Sequence, residues 1–166
     1  MSLRLVGRLL LLAGGCTAAA AQDFNAIVTH VSDGDTLWVR AVSEPGEPRG
    51  RRVKLRLLGL DAPERCQAHG EQATAALTRQ VLGRRVAVRA EARDTHGRLL
   101  AGIRLDGVDV GALLVNQGHA WSARWHDDRG PYVREEAAAR QARRGLFAQP
   151  APEPPREFRR RHGPCP

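Results

Sequence analysis

Apolar and polar residues alternate along several stretches of this chain, as they do in strands with one buried face. Turn-forming residues interrupt or separate these stretches, above all SDGD at residues 32–35 and DTHG at residues 94–97. The predicted strands are two arms of a hairpin within residues 24–39, then residues 52–57, 86–88 and 99–103. The pattern therefore predicts five strands.

Helical spacing of apolar residues predicts about three helices. Ala73, Leu77 and Val81 recur at helical intervals within residues 69–83, where Gly83 fits a helix end. Two further helices are expected at residues 108–117 and 131–144. Strands and helices in this order indicate an α+β domain that is mainly β. A small closed barrel with packed helices fits this class, and the OB-fold is its five-stranded member.

The length of 166 residues fits one ordinary domain with a core of its own. Residues 22–148 carry the predicted strands and helices, so we assign the domain to them. Residues 149–166 are rich in Pro and Arg and contain few apolar residues, which predicts a disordered tail.

The first 21 residues have the pattern of a bacterial export signal. Arg4 and Arg8 precede a short apolar run, and small residues follow as far as Ala21. We expect cleavage after Ala21 and a periplasmic or secreted protein. The alternatives are a lipoprotein acylated at Cys16 and an uncleaved anchor.

The charge of the chain is basic, with a formal net charge of +8. Without the signal, 24 Lys and Arg remain against 18 Asp and Glu, which leaves +6. Lys54 is the only lysine, and arginine has the planar fork that matches a phosphate group. The same bias also arises in GC-rich genomes, so composition alone leaves both explanations open.

Three short stretches combine charged residues with the ends of predicted strands. They are DGDT at residues 33–36, RLLGLDAPE at residues 56–64 and DTHGR at residues 94–98. Each alone could be an ordinary turn or helix start. Together they supply oxygen ligands for a hard cation, a base for water and cations for developing charge, which phosphodiester hydrolysis requires. The sequence has no HExxH, Cys-x-x-Cys or Gly-x-x-x-x-Gly-Lys motif, which argues against a zinc site and a phosphate loop.

These three stretches, in this order, resemble the staphylococcal nuclease (thermonuclease) family of calcium-dependent nucleases. The similarity runs from about Phe24 to Phe147. It implies an OB-fold and an endonuclease that uses Ca²⁺ to cleave DNA and RNA, favours single-stranded or flexible regions, and leaves 3′-phosphate ends. The resemblance also implies that Asp35, Asp61 and the carbonyl of Ala62 are the metal ligands. It implies that Glu64 positions or deprotonates water. Arg56 and Arg98 would be the arginines that hold the phosphate.

Other residues of the motifs are candidates for supporting roles. Asp33, Thr36 and Asp94 are expected to hold the turns and the ligand side chains in place. The chain departs from the family where Thr95 and His96 replace a lysine and a tyrosine, and where later tyrosines have no match in residues 121–128. Candidate substrate contacts are therefore His96, Arg124, Trp125 and His126, whereas Trp121 could equally belong to the core.

The cysteines offer one possible covalent link. Cys16 would leave with the signal or carry lipid, so Cys66 and Cys165 could pair in an oxidising compartment. Such a disulfide would tie the basic tail, with Arg159, Arg160 and Arg161, beside Glu64.

Two other functions fit part of the pattern. A non-catalytic OB-fold module would bind nucleic acid or another polyanion without cutting it, although the retained acids and arginines argue against this. A calcium-stabilised structural domain would show calcium-dependent melting without hydrolysis. We predict no obligate protein partner, and no membrane association except the possible lipid anchor at Cys16.

Overall fold

The alternating stretches form a closed barrel in a computed structural model that describes residues 22–42, 50–124 and 127–165. The strands are β1 Gln22–Val31, β2 Thr36–Ala41, β3 Arg52–Leu57, β4 Leu60–Asp61, β5 Arg85–Arg93, β6 Leu99–Leu105, β7 Val108–Asp109 and β8 Trp121–Ser122. Antiparallel pairing joins β3, β2, β1, β5 and β6 in that order, and parallel pairing of β3 with β6 closes the ring. The predicted α+β domain built on a five-stranded OB-fold barrel is confirmed.

Four helices accompany the barrel in the described part of the chain. They are α1 Gly70–Val81, α2 Val110–Asn116, α3 Val133–Gln141 and α4 Pro155–His162, with a 3-10 turn at Gly145–Ala148. The second predicted helix begins two residues late because Val108 and Asp109 pair with β6. The Asp109 side chain then caps α2 by accepting a hydrogen bond from the Ala112 amide at 3.0 Å. None of these helices combines the length and apolar character needed to cross a membrane.

The core lies inside the barrel and under α1 and α2. Its largest fully buried side chains include Leu37 and Leu55 from the barrel, with Leu77 and Leu114 from the two helices. Alternation in β5 puts Val86 and other apolar residues inward while its arginines face outward. This rigid barrel is what positions the loops at its ends.

The predicted disordered tail is wrong in part, since residues 155–162 form α4. Pro155 occupies the first helical position and is buried, and four basic residues lie in the last turn, where they favour the helix dipole. A disulfide between Cys66 and Cys165 ties the segment to the domain. Composition could not predict this helix because the contacts that hold it, such as the disulfide, join residues far apart in the sequence.

The predicted signal at residues 1–21 lies outside the described residues.

The turn between β1 and β2 packs closely against the loop after β4. A Cβ atom added to Gly34 would lie 2.7 Å from the Ala62 Cβ and 3.0 Å from the Ala73 Cβ. Gly34 therefore allows three segments to meet: the turn, the loop containing Ala62, and α1.

Replacement of this glycine tests that close approach. We expect Gly34→Ala to lower the free energy of unfolding by roughly 1–3 kcal/mol, because the added methyl forces two packed segments apart. Gly102→Ala on β6 is the matched control, since a Cβ there meets nothing within 4 Å. Urea unfolding of both variants measures the difference. Equal free energies for the two would mean that the packing at Gly34 is looser than described.

Two histidines pair where α1 begins. His69 Nε2 and His119 Nδ1 lie 3.0 Å apart, and their rings stack. Burial lowers the pKa of both histidines, and the neighbouring His69 and Arg79 help to bring that of His119 to about 4. His119 therefore stays neutral in the folded protein at pH values where it is protonated in the unfolded chain.

A pH dependence of stability follows from this pair. Because the folded-state pKa of His119 is below the unfolded value, its contribution is present above about pH 6.5 and is lost as the pH falls toward 4. We expect His119→Gln to flatten the unfolding free energy between pH 6.5 and 4, measured by urea titration. The exposed His30→Gln variant should keep the wild-type slope. An unchanged slope in His119→Gln would contradict the assignment.

Candidate active site at one end of the barrel

The SDGD turn directs one carboxylate into the protein. The amides of Ser32 and Asp33 donate to the carbonyl of Thr36, and the Asp35 amide donates to Asp33 Oδ1 at 3.0 Å. Asp35 is only 3% exposed, and its Oδ1 accepts a hydrogen bond of 2.9 Å from the Thr36 hydroxyl. Asp33 thus holds the turn, and Thr36 orients the buried carboxylate.

Arg56 joins two of the predicted site carboxylates. Its Nη2 lies 2.8 Å from Asp35 Oδ2 and 3.1 Å from Asp61 Oδ1. The barrel register explains this meeting, because Arg56 on β3 pairs with Thr36, the residue next to Asp35. Asp61 arrives from β4, which pairs with β8. Two aspartates from separate segments therefore face one guanidinium.

The electrostatics of Asp35 reflect its burial. Desolvation raises the pKa of Asp35 to about 7, because the positive charge of Arg56 offsets only part of the cost and the nearby Asp33 and Asp61 add to it. The ionised form of Asp35 is therefore only partly compensated by the chain. An added cation beside this carboxylate would stabilise the ionised form.

Glu64 lies on the loop between β4 and α1. Its amide donates to the Gln67 side chain at 3.1 Å, and its carboxylate accepts a 2.7 Å hydrogen bond from Arg159 of α4. Arg159 also donates to both oxygens of Asp61, at 3.2 Å each. The site therefore contains the three predicted acids, Arg56, and an arginine from the tail.

Arg98 is held at the start of β6 by the turn before it. Asp94 Oδ1 accepts from the amides of His96 and Arg98, and its Oδ2 accepts from Arg98 Nε at 2.6 Å. Burial opposes ionisation, but these hydrogen bonds lower the pKa of Asp94 below its ordinary value. Leu99 is in register with Leu55, so the turn presents Arg98 beside the strand that carries Arg56.

Of the four candidate substrate contacts, His96 and Arg124 lie within the described residues. His96 is largely exposed on its turn. Arg124 donates to the buried Glu136 at 2.6 Å, and Glu136 also accepts from Arg140 and the Ser122 amide, so this arginine has a structural partner. Trp125 and His126 lie outside the described residues. Trp121 is buried and packs edge-on against Phe147, as expected for a core residue.

The donors at this end of the barrel suit a hard cation. Asp35 and Asp61 offer carboxylate oxygens, and the buried Ala62 follows Asp61 directly with a backbone carbonyl. Within the described ranges, no three His, Cys, Asp or Glu side chains form a metal site by themselves. A cation held here would rely on two carboxylates, a carbonyl and water, which leaves positions open for a substrate.

Fold and site together define a class: an OB-fold barrel with acids and arginines gathered at one end. Residues 54–149 match the model of the family described as staphylococcal nuclease homologue. The chain belongs to this family, whose members generally need a divalent metal.

Curated relatives agree with this assignment. An "Uncharacterized endonuclease" of Escherichia coli O157:H7 is 34% identical over 84% of this chain and 87% of its own length. "Protein ParB" of Escherichia coli is 34% identical over 80% of this chain and 77% of its own length. "Probable staphylococcal-like nuclease CAN1" of Oryza sativa subsp. japonica is 34% identical over 69% of this chain but only 34% of its own length. The chain thus spans about a third of that rice protein.

Two contacts of the site escaped sequence reasoning. Gln67 accepts from the Glu64 amide and donates to the Glu153 carbonyl at 2.6 Å, so it links the loop that contains Glu64 to the tail. The possible disulfide places Arg159 beside Glu64 but does not predict that it bonds the site acids, as it does in the structure. The one available signal was Cys165, which is six residues beyond Arg159 and can pair with Cys66 beside Glu64.

The buried carboxylate leads to a stability prediction. In chelator at pH 8, we expect Asp35→Asn to melt at a higher temperature than the unsubstituted protein, because it removes a buried charge that is incompletely compensated. Arg56 keeps Asp61 as a partner. Asp106→Asn is the control, since Asp106 pairs with Arg84 on the surface. A lower melting temperature for Asp35→Asn in a calorimetric scan would show that the carboxylate is net stabilising.

Proposed function

We propose that this protein is an exported, calcium-dependent endonuclease that hydrolyses phosphodiester bonds of DNA and RNA and leaves 3′-phosphate ends. Family membership supports phosphodiester hydrolysis, and the names of the relatives support a nuclease. The observation that carries the proposal is the meeting of Asp35, Asp61 and Arg56 at one end of the barrel, with Glu64 linked to Asp61 through one guanidinium.

Glu64 is the residue to which we assign proton transfer. Its carboxylate is half-buried, its backbone amide is fixed by Gln67, and Arg159 links it to Asp61. A glutamate in this position can accept a proton from an attacking water. Asp35 and Asp61 are committed to Arg56 and to the cation, so neither competes for that role.

Arg56 and Arg98 stabilise the phosphate. Arginine stays protonated at any working pH, so both act through hydrogen bonds and charge rather than as proton donors. Arg56 lies on β3, and Arg98 directly precedes the neighbouring strand β6, where Asp94 fixes it. A rigid barrel therefore supplies donors to the negative charge that develops on the phosphate oxygens.

The cation would be held by Asp35, Asp61 and the carbonyl of Ala62. When bound, Ca²⁺ supplies positive charge next to the scissile phosphate and lowers the pKa of coordinated water. All-oxygen donors support a hard cation, and the flexible coordination of Ca²⁺ suits a set of two carboxylates with open positions. The chain's own residues orient the substrate and move the proton.

The substrate assignment rests on charge and access. The basic chain attracts polyanions, and the exposed His96 lies on the same turn as Arg98. We propose single-stranded or flexible DNA and RNA, because a splayed strand can bring its phosphate to a site at the end of a barrel. Export is supported by the Cys66–Cys165 disulfide, which suits an oxidising compartment.

Cleavage assays on the purified protein test this function. We expect single-stranded DNA and RNA to be cut in calcium and left intact in chelator, with 3′-phosphate products that support primer extension only after phosphatase treatment. Glu64→Gln should lower the rate by roughly 10²–10⁴-fold through loss of the base. Arg56→Ala should lower it by roughly 10²–10³-fold through loss of a phosphate donor.

Glu91→Gln is the matched control, because Glu91 is exposed on β5. It should retain the wild-type rate. Cleavage that proceeds equally in Glu64→Gln would remove the proposed base. Tight binding of single-stranded DNA without cleavage in calcium, magnesium or manganese would instead identify a non-catalytic OB-fold binding module.

A further inference from the structure

The helix α4 is fastened beside the acidic site at several points. Cys165, just beyond the helix, is bonded to Cys66, which is two residues after Glu64. Before the helix, the Glu153 carbonyl accepts from the buried Gln67, and Glu153 also pairs with Arg161. The helix is thus held at both ends, and the disulfide keeps the local concentration of its side chains high at the site.

These contacts place Arg159 at the acidic site. It forms three hydrogen bonds with the site, one to Glu64 at 2.7 Å and one to each oxygen of Asp61 at 3.2 Å. Burial would lower the pKa of Arg159, but the bonds to Glu64 and Asp61 raise it above its ordinary value. Both of its terminal nitrogens bond carboxylates of the site.

The charge balance of the site changes with this arginine. Asp35, Asp61 and Glu64 together bring three negative charges when ionised, and Arg56 and Arg159 return two positive charges. Loss of Arg159 leaves two uncompensated negative charges instead of one. A divalent cation binds more strongly to the second arrangement, and it also needs the Asp61 lone pairs that Arg159 occupies.

The other arginines of α4 differ from Arg159. Arg160 pairs with Glu157 and Arg161 with Glu153, both within the tail, and Arg156 is exposed. Of the arginines in α4, Arg159 is therefore the one that bonds the site acids in the described structure. This selectivity distinguishes a specific contact from general attraction of a basic helix to an acidic surface.

We propose that α4 is an autoinhibitory strap, in which Arg159 competes with the divalent cation for Asp61 and also occupies Glu64, while the Cys66–Cys165 disulfide holds the arginine there. The inference rests on the proposed function, since it assigns a regulator to the same site. Cation binding and the seated strap oppose each other, and by linkage each weakens the other by the same factor.

Reduction of the disulfide releases the strap. A dithiol reductant donates two electrons and two protons, the bond between the Cys66 and Cys165 sulfurs breaks to give two thiols, and the reductant becomes a disulfide. Only noncovalent contacts then hold the segment after Glu153, chiefly those of Gln67, Arg159 and the buried Pro155, so the segment can leave the site. Reduced protein should bind divalent cations more tightly than oxidised protein.

Calorimetric titration of the full mature protein with Ca²⁺, without nucleic acid, tests the strap. We expect Arg159→Ala and Cys165→Ser each to tighten Ca²⁺ binding by roughly 5- to 150-fold, the usual range of such couplings. Arg156→Ala, on the same helix, is the matched control and should bind as the unsubstituted protein does. Addition of Ca²⁺ to the unsubstituted protein should accelerate amide hydrogen exchange in α4.

The outcomes separate the strap from the nuclease. Unchanged or weaker Ca²⁺ affinity in Arg159→Ala, with a melting temperature that shows a folded protein, overturns the strap even if the protein cuts DNA. Tightened affinity without cleavage supports the strap and overturns the nuclease. Reduced cleavage in Arg159→Ala with unchanged affinity would make Arg159 a substrate contact and also overturn the strap.

Discussion

The pairing of Arg56 with Asp35 and Asp61 is the interaction on which the site depends. A buried carboxylate is costly unless a cation and hydrogen bonds compensate it, and Asp35 has both in Arg56 and Thr36. The antiparallel register of β2 and β3 and the parallel closure of β3 with β6 place these residues together. A slip of one residue in either register would turn Arg56 away and leave Asp35 buried without its partner.

Two arginines pair with the acids of the site and share Asp61, but the chain holds them differently. Arg56 belongs to a strand of the barrel and cannot leave without breaking sheet pairing. Arg159 belongs to a short helix held by a disulfide and a few polar contacts. The first is therefore a permanent part of the site. Arg159 occupies the site only while the disulfide and these polar contacts hold α4 in place, which allows Arg159 a regulatory role.

Much of the fold follows from local pattern. Apolar alternation at residues 52–57 and 86–88 marks strands because a pleated strand exposes alternate side chains to opposite faces, whatever its partners. The SDGD and DTHG turns likewise carry their own hydrogen bonds, from Asp33 and Asp94 to nearby amides. Local pattern failed where a distant partner decided the result, as when pairing with β6 turned residues 108–109 from predicted helix into strand.

The sequence by itself determined the strands, the turns and the list of acids and arginines available for chemistry. The tertiary structure decided which of them meet: Arg56 with two aspartates, Arg124 with Glu136, and Arg159 with Glu64 across a separation of 95 residues. It also decided that a Pro- and Arg-rich tail forms a helix. The physical reason is that periodicity and turn propensity act over a few residues. Charge pairing and burial depend on barrel closure and cross-linking, which bring together residues that no local pattern connects.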